Sequence, residues 1–349
     1  MIGKMSGLTR CARLFGVATT LALATNFIGS AIAAEVNVYS HRKEELIKPL
    51  LEAFTASTGI KVNLVTGNAD ALIERMRSEG RNSPADVVLT SDAARLFKSK
   101  QRDLLQKVES PALRRLIPAR FRDPEGFWFG LSIRARPIFY ARHRVDPAEL
   151  STYEALTDEK WKGRILIRSS SNIYNQSLLA SLIAEQGPEA AESWARGIVA
   201  NFARKPQGGD TDQLRALAAG EGDIAIANTY YYGRLLGSER DSDRDIAAKI
   251  AIFWPNQSDR GTHINISGGA VARFAPHREE AVRFLEFLAS DAAQEIYAEK
   301  DHEFPIRDDV PRSKIVSGMG TFKAHELPLD QLGEHNAAAL RIFDRAGWR

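Results

Sequence analysis

The sequence predicts an α/β fold of two lobes, with two mixed, mostly parallel sheets flanked by helices and joined by β-type hinge crossovers. Three stretches predict it. From Glu35 to Thr90 the pattern alternates as βαβαβ with short turns, which favours a parallel sheet covered by helices. The β-type passage from Phe127 to Tyr140 contains Pro137, which suits an edge or crossover strand better than a central ladder. A second strand-to-helix alternation, from Arg164 to Ala227, repeats the arrangement of the first.

The alternating Glu35-Val36-Asn37-Val38-Tyr39 reads as a strand that stops at Ser40-His41-Arg42-Lys43. From Glu44 to Thr58 the apolar Leu46, Ile47, Leu50, Leu51 and Phe54 recur at helical spacing, and Gly59 ends the helix. A strand at 60–65, an amphipathic helix from Ala69 to Glu79 and an apolar strand at 86–90 follow. In such a sheet ligands sit beyond the carboxyl ends of the strands. The strand Arg164–Arg168 runs into the serine-rich Ser169–Gln176. That turn is expected to cap an apolar helix from Ser177 to Glu185, placing Tyr174 at a strand-to-helix junction. A helix from Asp212 and a strand at 222–227 deliver the chain to Asn228-Thr229-Tyr230-Tyr231-Tyr232-Gly233-Arg234, in a position equivalent to that of Tyr174. A strand at 250–255 comes next, and Gly268-Gly269-Ala270-Val271-Ala272 is expected to carry the chain back across the hinge. Helices over 279–288 and 292–299 precede a helical tail. The expected division is a first lobe at 34–132, a second at 133–261, a return to the first at 262–310 and a C-terminal tail at 311–349 packing on both.

Residues 1–33 form a separate object. Lys4, Arg10 and Arg13 precede an apolar run ending in Ala31-Ile32-Ala33, the arrangement of a secretory signal cleaved near Ala33. Thr19, Thr20, Thr25 and Asn26 interrupt the run, which argues against a retained membrane anchor. The single cysteine, Cys11, lies in this segment, so the mature chain has neither disulfides nor thiolate metal ligands. The precursor carries a formal charge of +3, and losing the three N-terminal cations leaves a mature chain with none. Nucleic-acid binding, which calls for a one-sided basic surface, is not expected.

The tyrosine heptad carries the chemistry. A phenol ionises near pH 10, so at neutral pH it becomes an anion only when a strong Lewis acid displaces its proton. The phenolate is then a hard oxygen donor, suited to Fe3+ rather than to metals that prefer imidazole or thiolate. Successive side chains diverge by about 100° on a helix, so neighbouring tyrosines meet one ion at a bend or a helix start; Gly233 is expected to supply that bend. The competing reading of the heptad is three aromatics at the edge of a core or interface. Tyr39, within a strand, and Tyr232 are expected to pack. His263, His277, His302, His325 and His335 lack mutual spacing and are expected at the surface or in loops.

These pieces, together with Val38-Tyr39-Ser40-His41-Arg42-Lys43-Glu44, Pro84-Ala85-Asp86-Val87, Leu131-Ser132-Ile133-Arg134-Ala135-Arg136, Trp161-Lys162-Gly163 and Ser267-Gly268-Gly269, run collinearly through the mature chain. In them the chain resembles the periplasmic ferric-ion-binding proteins of bacterial ABC importers. The resemblance implies a periplasmic-binding-protein-like fold closing on one Fe3+, with Tyr174, Tyr230 and Tyr231 as phenolate ligands. Arg42 and Arg134 match positions that hold a synergistic anion, carbonate or another, or that organise the site's surroundings. Arg234 either joins them or forms a helix-surface salt bridge. Some relatives add a first-lobe histidine, His-Tyr pair or glutamate; here the turn reads His41-Arg42-Lys43-Glu44, and either His41 or an anion fills the gap. The implied partners are an ABC permease with its ATPase in the inner membrane, and the chain is expected to act as a periplasmic monomer.

An enzyme is not expected. The chain has no G-x-S-x-G elbow, H-E-x-x-H, P-loop or dinucleotide fingerprint, and no histidine or carboxylate stands beside the tyrosines in sequence. The closer rival is a binding protein of the same fold that takes an organic anion or phosphonate through arginines and serines. Tyr230→Phe separates the two, because it deletes an iron ligand but keeps a stacking ring.

Overall fold

The computed structural model describes residues 34–42 and 44–349. The expected export signal, residues 1–33, lies outside them, as does Lys43. Among the described residues ten strands form two sheets. These are β1 (Glu35–Ser40), β2 (Lys61–Thr66), β3 (Val87–Ser91), β4 (Phe129–Ala135), β5 (Ile138–Ala141), β6 (Ile165–Leu166), β7 (Ile224–Ile226), β8 (Ile250–Phe253), β9 (Ile264–Val271) and β10 (Phe304–Pro305). The larger sheet has the order β10-β4-β9-β3-β1-β2 and the smaller β6-β7-β5-β8. Both are mixed and mostly unidirectional. Only β9 and β10 are reversed in the first sheet, and only β5 in the second.

The βαβαβ pattern builds one end of the larger sheet, with β1 parallel to both β2 and β3. The helix Glu44–Thr58 buries Ile47, Leu50, Leu51 and Phe54. It stops at Gly59, whose φ of 72° a side chain would resist and whose N–H closes on the Thr55 carbonyl at 2.9 Å. Phe54 meets Phe284 edge-on at 5.0 Å, so truncating Phe54 to alanine is expected to cost about 3–5 kcal/mol. The smaller sheet buries Ile165, Ile224 and Ile226 in a second core. The C-terminal helix Asn336–Ala346 contributes Ile342 and Phe343 to that core. Trp348 follows them, with rings of Trp194, Phe202 and Phe343 within 5.9 Å.

The passage around Pro137 is two strands, one in each sheet. β4 lies between β10 and β9, so it is internal rather than an edge, while Arg136-Pro137 falls between the sheets where the missing N–H breaks no ladder. The crossover reading therefore holds and the edge reading does not. β9, paired with both β3 and β4, is the second crossover. The two are bonded where they leave the larger sheet, through Arg136 N–H to the His263 carbonyl at 3.0 Å. The buried Tyr153 hydroxyl clasps both, donating to the Arg136 carbonyl at 2.8 Å and accepting from His263 N–H at 3.2 Å. No helix among the described residues is long and apolar enough to cross a membrane.

Candidate metal centre

Tyr174, Tyr230 and Tyr231 stand at the starts of two helices that leave the smaller sheet. The helix carrying Tyr174 spans Ile173–Gln186, beginning four residues before the expected Ser177. Its cap is not a serine but Asn172, whose Oδ1 accepts from Tyr174 N–H at 3.1 Å. The other helix, Thr229–Leu236, begins directly after β7 and Asn228. Tyr230 and Tyr231 occupy its first turn, where the helix dipole favours negative charge. The Tyr230 hydroxyl donates to that of Tyr174 at 3.2 Å, and the rings of Tyr230 and Tyr231 lie 4.2 Å apart.

Helix geometry, not a bend, brings the two adjacent tyrosines to one place. Gly233 lies inside the helix and serves close packing, since a Cβ there would stand 2.5 Å from the Cβ of His302. Tyr232 points elsewhere, as its packing role requires. Its hydroxyl donates to the Ala247 carbonyl at 3.4 Å and its ring meets Phe139 at 5.3 Å. Tyr39 is likewise buried, with its hydroxyl donating to Glu79 at 3.0 Å.

Strand ends of the larger sheet supply the facing wall. His41 and Arg42 follow β1, Ser91 ends β3, Arg134 lies on β4, Ser267 on β9, and Glu303 immediately precedes β10. Together with the tyrosines and Arg234 they line a cavity of about 340 Å³. Ser91 Oγ bridges the walls, 2.7 Å from His41 Nε2 and 3.3 Å from the Tyr174 hydroxyl. Arg134 donates through Nη1 to Ser267 at 2.8 Å and lies over the Tyr174 ring at 5.2 Å. Its Nε and Nη2, and His41 Nδ1, are buried with no hydrogen-bond partner. Arg42 is committed elsewhere, with Nη1 at 2.5 Å from Asp301 and Nη2 at 2.8 Å from Glu303. Glu303 also accepts from Ser132 and Ser267. Arg234 lies over the rings of Tyr230 and Tyr231 at 5.0 and 5.7 Å.

The two walls differ electrically. Burial works against ionising every phenol here. At Tyr174 it is outweighed by the Arg134 charge and the hydrogen bonds of Ser91 and Tyr230, so that pKa falls below 10. At Tyr230 and Tyr231 burial and the neighbouring phenols push it well up. One phenol is thus poised to ionise, and the others need an added positive charge. His41 is held down to about 3 by burial and then by Arg42, Arg95 and Arg134, so its imidazole stays neutral and available to donate a lone pair. Burial is also the largest effect on the two carboxylates around Arg42. It prevails at Asp301, whose pKa rises, but Arg42, Arg134 and Ser132 hold Glu303 low.

All seven singled-out residues, His41, Arg42, Arg134, Tyr174, Tyr230, Tyr231 and Arg234, line this one cavity. Ser91, Ser267 and Glu303 were not foreseen, and neither was Arg136, buried just behind the tyrosines. The signal for Arg136 was present: an arginine inside an otherwise apolar crossover must be paired when buried. Of the histidines expected at the surface or in loops, two lie in loops and are buried. These are His263 in the second crossover and His325, which lies 2.7 Å from Glu185; His302 is half-buried against the tyrosine helix. A larger cavity of about 590 Å³, reaching Ile133 and Ile264, contains none of the seven. Among the described residues no group of three or more His, Cys, Asp or Glu is placed to hold a metal ion.

Two mixed α/β sheets, linked by paired crossovers and sharing a polar cavity at their strand ends, define a periplasmic-binding-protein fold of the type II class. The chain belongs to the bacterial extracellular solute-binding proteins, whose family model matches residues 50–324. It is 51% identical to iron uptake protein A1 of Synechocystis over 315 residues, 90% of this chain and 88% of that one. It is 26% identical to the major ferric iron-binding protein of Neisseria meningitidis over 324 residues, 90% and 94% of the two chains. Among solved structures, the Trichodesmium protein FutA in complex with iron and citrate ligands superposes with a TM-score of 0.87 at 50% identity, covering 90% of this chain and all of that one. The ferric binding protein of Campylobacter jejuni gives 0.87 at 40% identity, again over 90% of this chain and all of that one.

Proposed function

We propose that this protein captures ferric iron outside the cytoplasm and presents it to an ABC permease, without catalysing a reaction. The observation that carries the reading is the meeting of the phenols of Tyr174, Tyr230 and Tyr231 at two helix starts within one cavity, in a chain 51% identical to an iron uptake protein. Three phenolates neutralise Fe3+ and give it the hard oxygen donors it prefers. Tyr174 is the phenol whose surroundings favour ionisation, and the charge of the ion favours deprotonation of Tyr230 and Tyr231. On the facing wall Arg134 has unused donors for an anion that completes the iron's shell, and neutral His41 stands beside it as the alternative donor. Arg42, held by Asp301 and Glu303, braces that wall.

Each sheet with its helices acts as one lobe, and the two close on the ion by bending at the paired crossovers. Residues 1–33 direct export and are removed near Ala33. The mature protein works as a monomer in the periplasm, and the permease with its ATPase reads the closed lobes.

The test is to add ferric citrate to metal-free mature protein, remove excess by desalting and record the visible spectrum. A broad phenolate-to-iron charge-transfer band that is lost in Tyr230→Phe is the expected result. Colourless protein without retained iron overturns the reading and directs the search to organic anions and phosphonates.

A further inference from the structure

The buried guanidinium of Arg136 reaches both tyrosine-bearing turns at once. Nη2 donates to Asn175 Oδ1 at 2.6 Å, and Asn175 directly follows Tyr174. Nη1 donates to Asn228 Oδ1 at 3.0 Å, at the start of the helix of Tyr230 and Tyr231, and to Asp210 Oδ2 at 2.9 Å. Asp210 Oδ2 also accepts the Asn228 N–H at 2.9 Å, and Asn175 Nδ2 donates back to the Arg168 carbonyl at 2.7 Å. The backbone of the same residue is the clasped point of the crossover, bonded to His263 and Tyr153.

We infer that Arg136 is the positioning residue of the metal centre: its fork sets the spacing of the two helix starts, and with it the distance between the Tyr174 and Tyr230 oxygens. The inference rests on the iron reading above. A planar guanidinium is needed because two fixed N–H directions must serve two separate turns, which a single ammonium does not reproduce. Charge compensation for Asp210 alone would not demand this geometry. A buried pair is often replaced by neutral groups with little loss of stability, so stability alone does not account for this one. Because Arg136 also sits at the crossover, closure of the lobes and the spacing of the phenols share one anchor.

The experiment separates positioning from charge compensation. Arg136→Met with Asp210→Asn removes both charges together and also leaves Asn175 and Asn228 without their donor, so melting falls under either reading, while a role limited to burying Asp210 predicts wild-type iron binding. Positioning predicts a metal-free protein that folds, yet holds iron about 10- to 100-fold more weakly, with a shifted and weaker charge-transfer band at saturating ferric citrate. A band and affinity equal to wild type in the folded double variant overturns the inference. Should that variant not fold, Arg136→Lys keeps the charge opposite Asp210 and loses the fork: a displaced band supports positioning and an unchanged one overturns it. A wild-type protein with no band overturns the iron reading and this inference together.

Discussion

The two walls of the cavity are made in different ways. The tyrosine wall consists of two helix starts and presents phenols of which Tyr230 and Tyr231 are kept from ionising by burial and by the neighbouring Tyr174. The strand-end wall is an ion network already assembled, in which Arg42, Asp301, Glu303, Ser132, Ser267 and Arg134 bond one another across four strands or their flanks. On the second wall, buried polar atoms of Arg134, His41 and Asp301 still lack a hydrogen-bond partner. The strand-end wall thus combines a bonded network with unused donors and acceptors, and the tyrosine wall presents phenols whose ionisation is favoured at Tyr174 and opposed at Tyr230 and Tyr231.

Mutations break this contrast to different degrees. The largest effect is expected from Tyr230→Phe or Tyr231→Phe. Losing one of three anionic ligands is expected to lower iron affinity on the order of a thousandfold, about 4 kcal/mol. Melting of the metal-free protein should be unchanged or raised, as measured by calorimetry beside a spectroscopic iron titration. Arg42→Ala should do the reverse. It leaves two buried carboxylates unpaired and is expected to lower stability by about 3–5 kcal/mol at neutral pH. Glu303 is held low when folded, so its share is present above the ordinary glutamate pKa and fades as pH falls through the folded value. The gap between wild type and Arg42→Ala should therefore narrow below about pH 4.3 in denaturant titrations.

Smaller effects sharpen the comparison. Arg134→Gln removes the charge that favours the Tyr174 phenolate and the unused donors beside it. Iron affinity should fall by about 10- to 100-fold, and the Tyr174 pKa should rise in ultraviolet titration. Proton competition at the phenols should lower the logarithm of iron affinity by about two to three per pH unit on acidification, with titrating buffer taking up the released protons. His41→Gln should change affinity least. Because His41 is neutral above about pH 3, the wild-type binding curve should show no inflection near pH 6.5 that this variant abolishes.

The sequence made one wall far more legible than the other. Tyr174 and the tyrosine heptad announce themselves because each sits in a short local motif at the end of a strand, and strand-to-helix alternation is read from neighbouring residues. Pro137 marked the crossover for the same reason, since its missing N–H is a local property. Glu303 gave no such sign. Its meaning comes from Arg42 and Ser132, which reach it only through the fold, and a lone glutamate before Phe304-Pro305 looks like any surface acid. Gly233 was read as a source of freedom when its purpose is lack of bulk, a distinction that exists only once His302 is seen beside it. The turn expected to cap the Tyr174 helix does so through Asn172, and the helix begins inside that turn at Ile173 rather than after it.

The strand-end wall also has a place in the order of folding. Tyr174 and Tyr230 are 56 positions apart, whereas Arg134 and Ser267 are separated by 133 and Arg42 and Glu303 by 261. Closing the longest of these loops carries the greatest entropic cost and awaits the return of the chain through β9 and β10. The network is thus expected to close late, after the rate-limiting step. Glu303→Gln should leave the refolding rate in stopped-flow experiments nearly untouched and speed unfolding, so that the lifetime of the folded protein, rather than the speed of its formation, is what this wall sets.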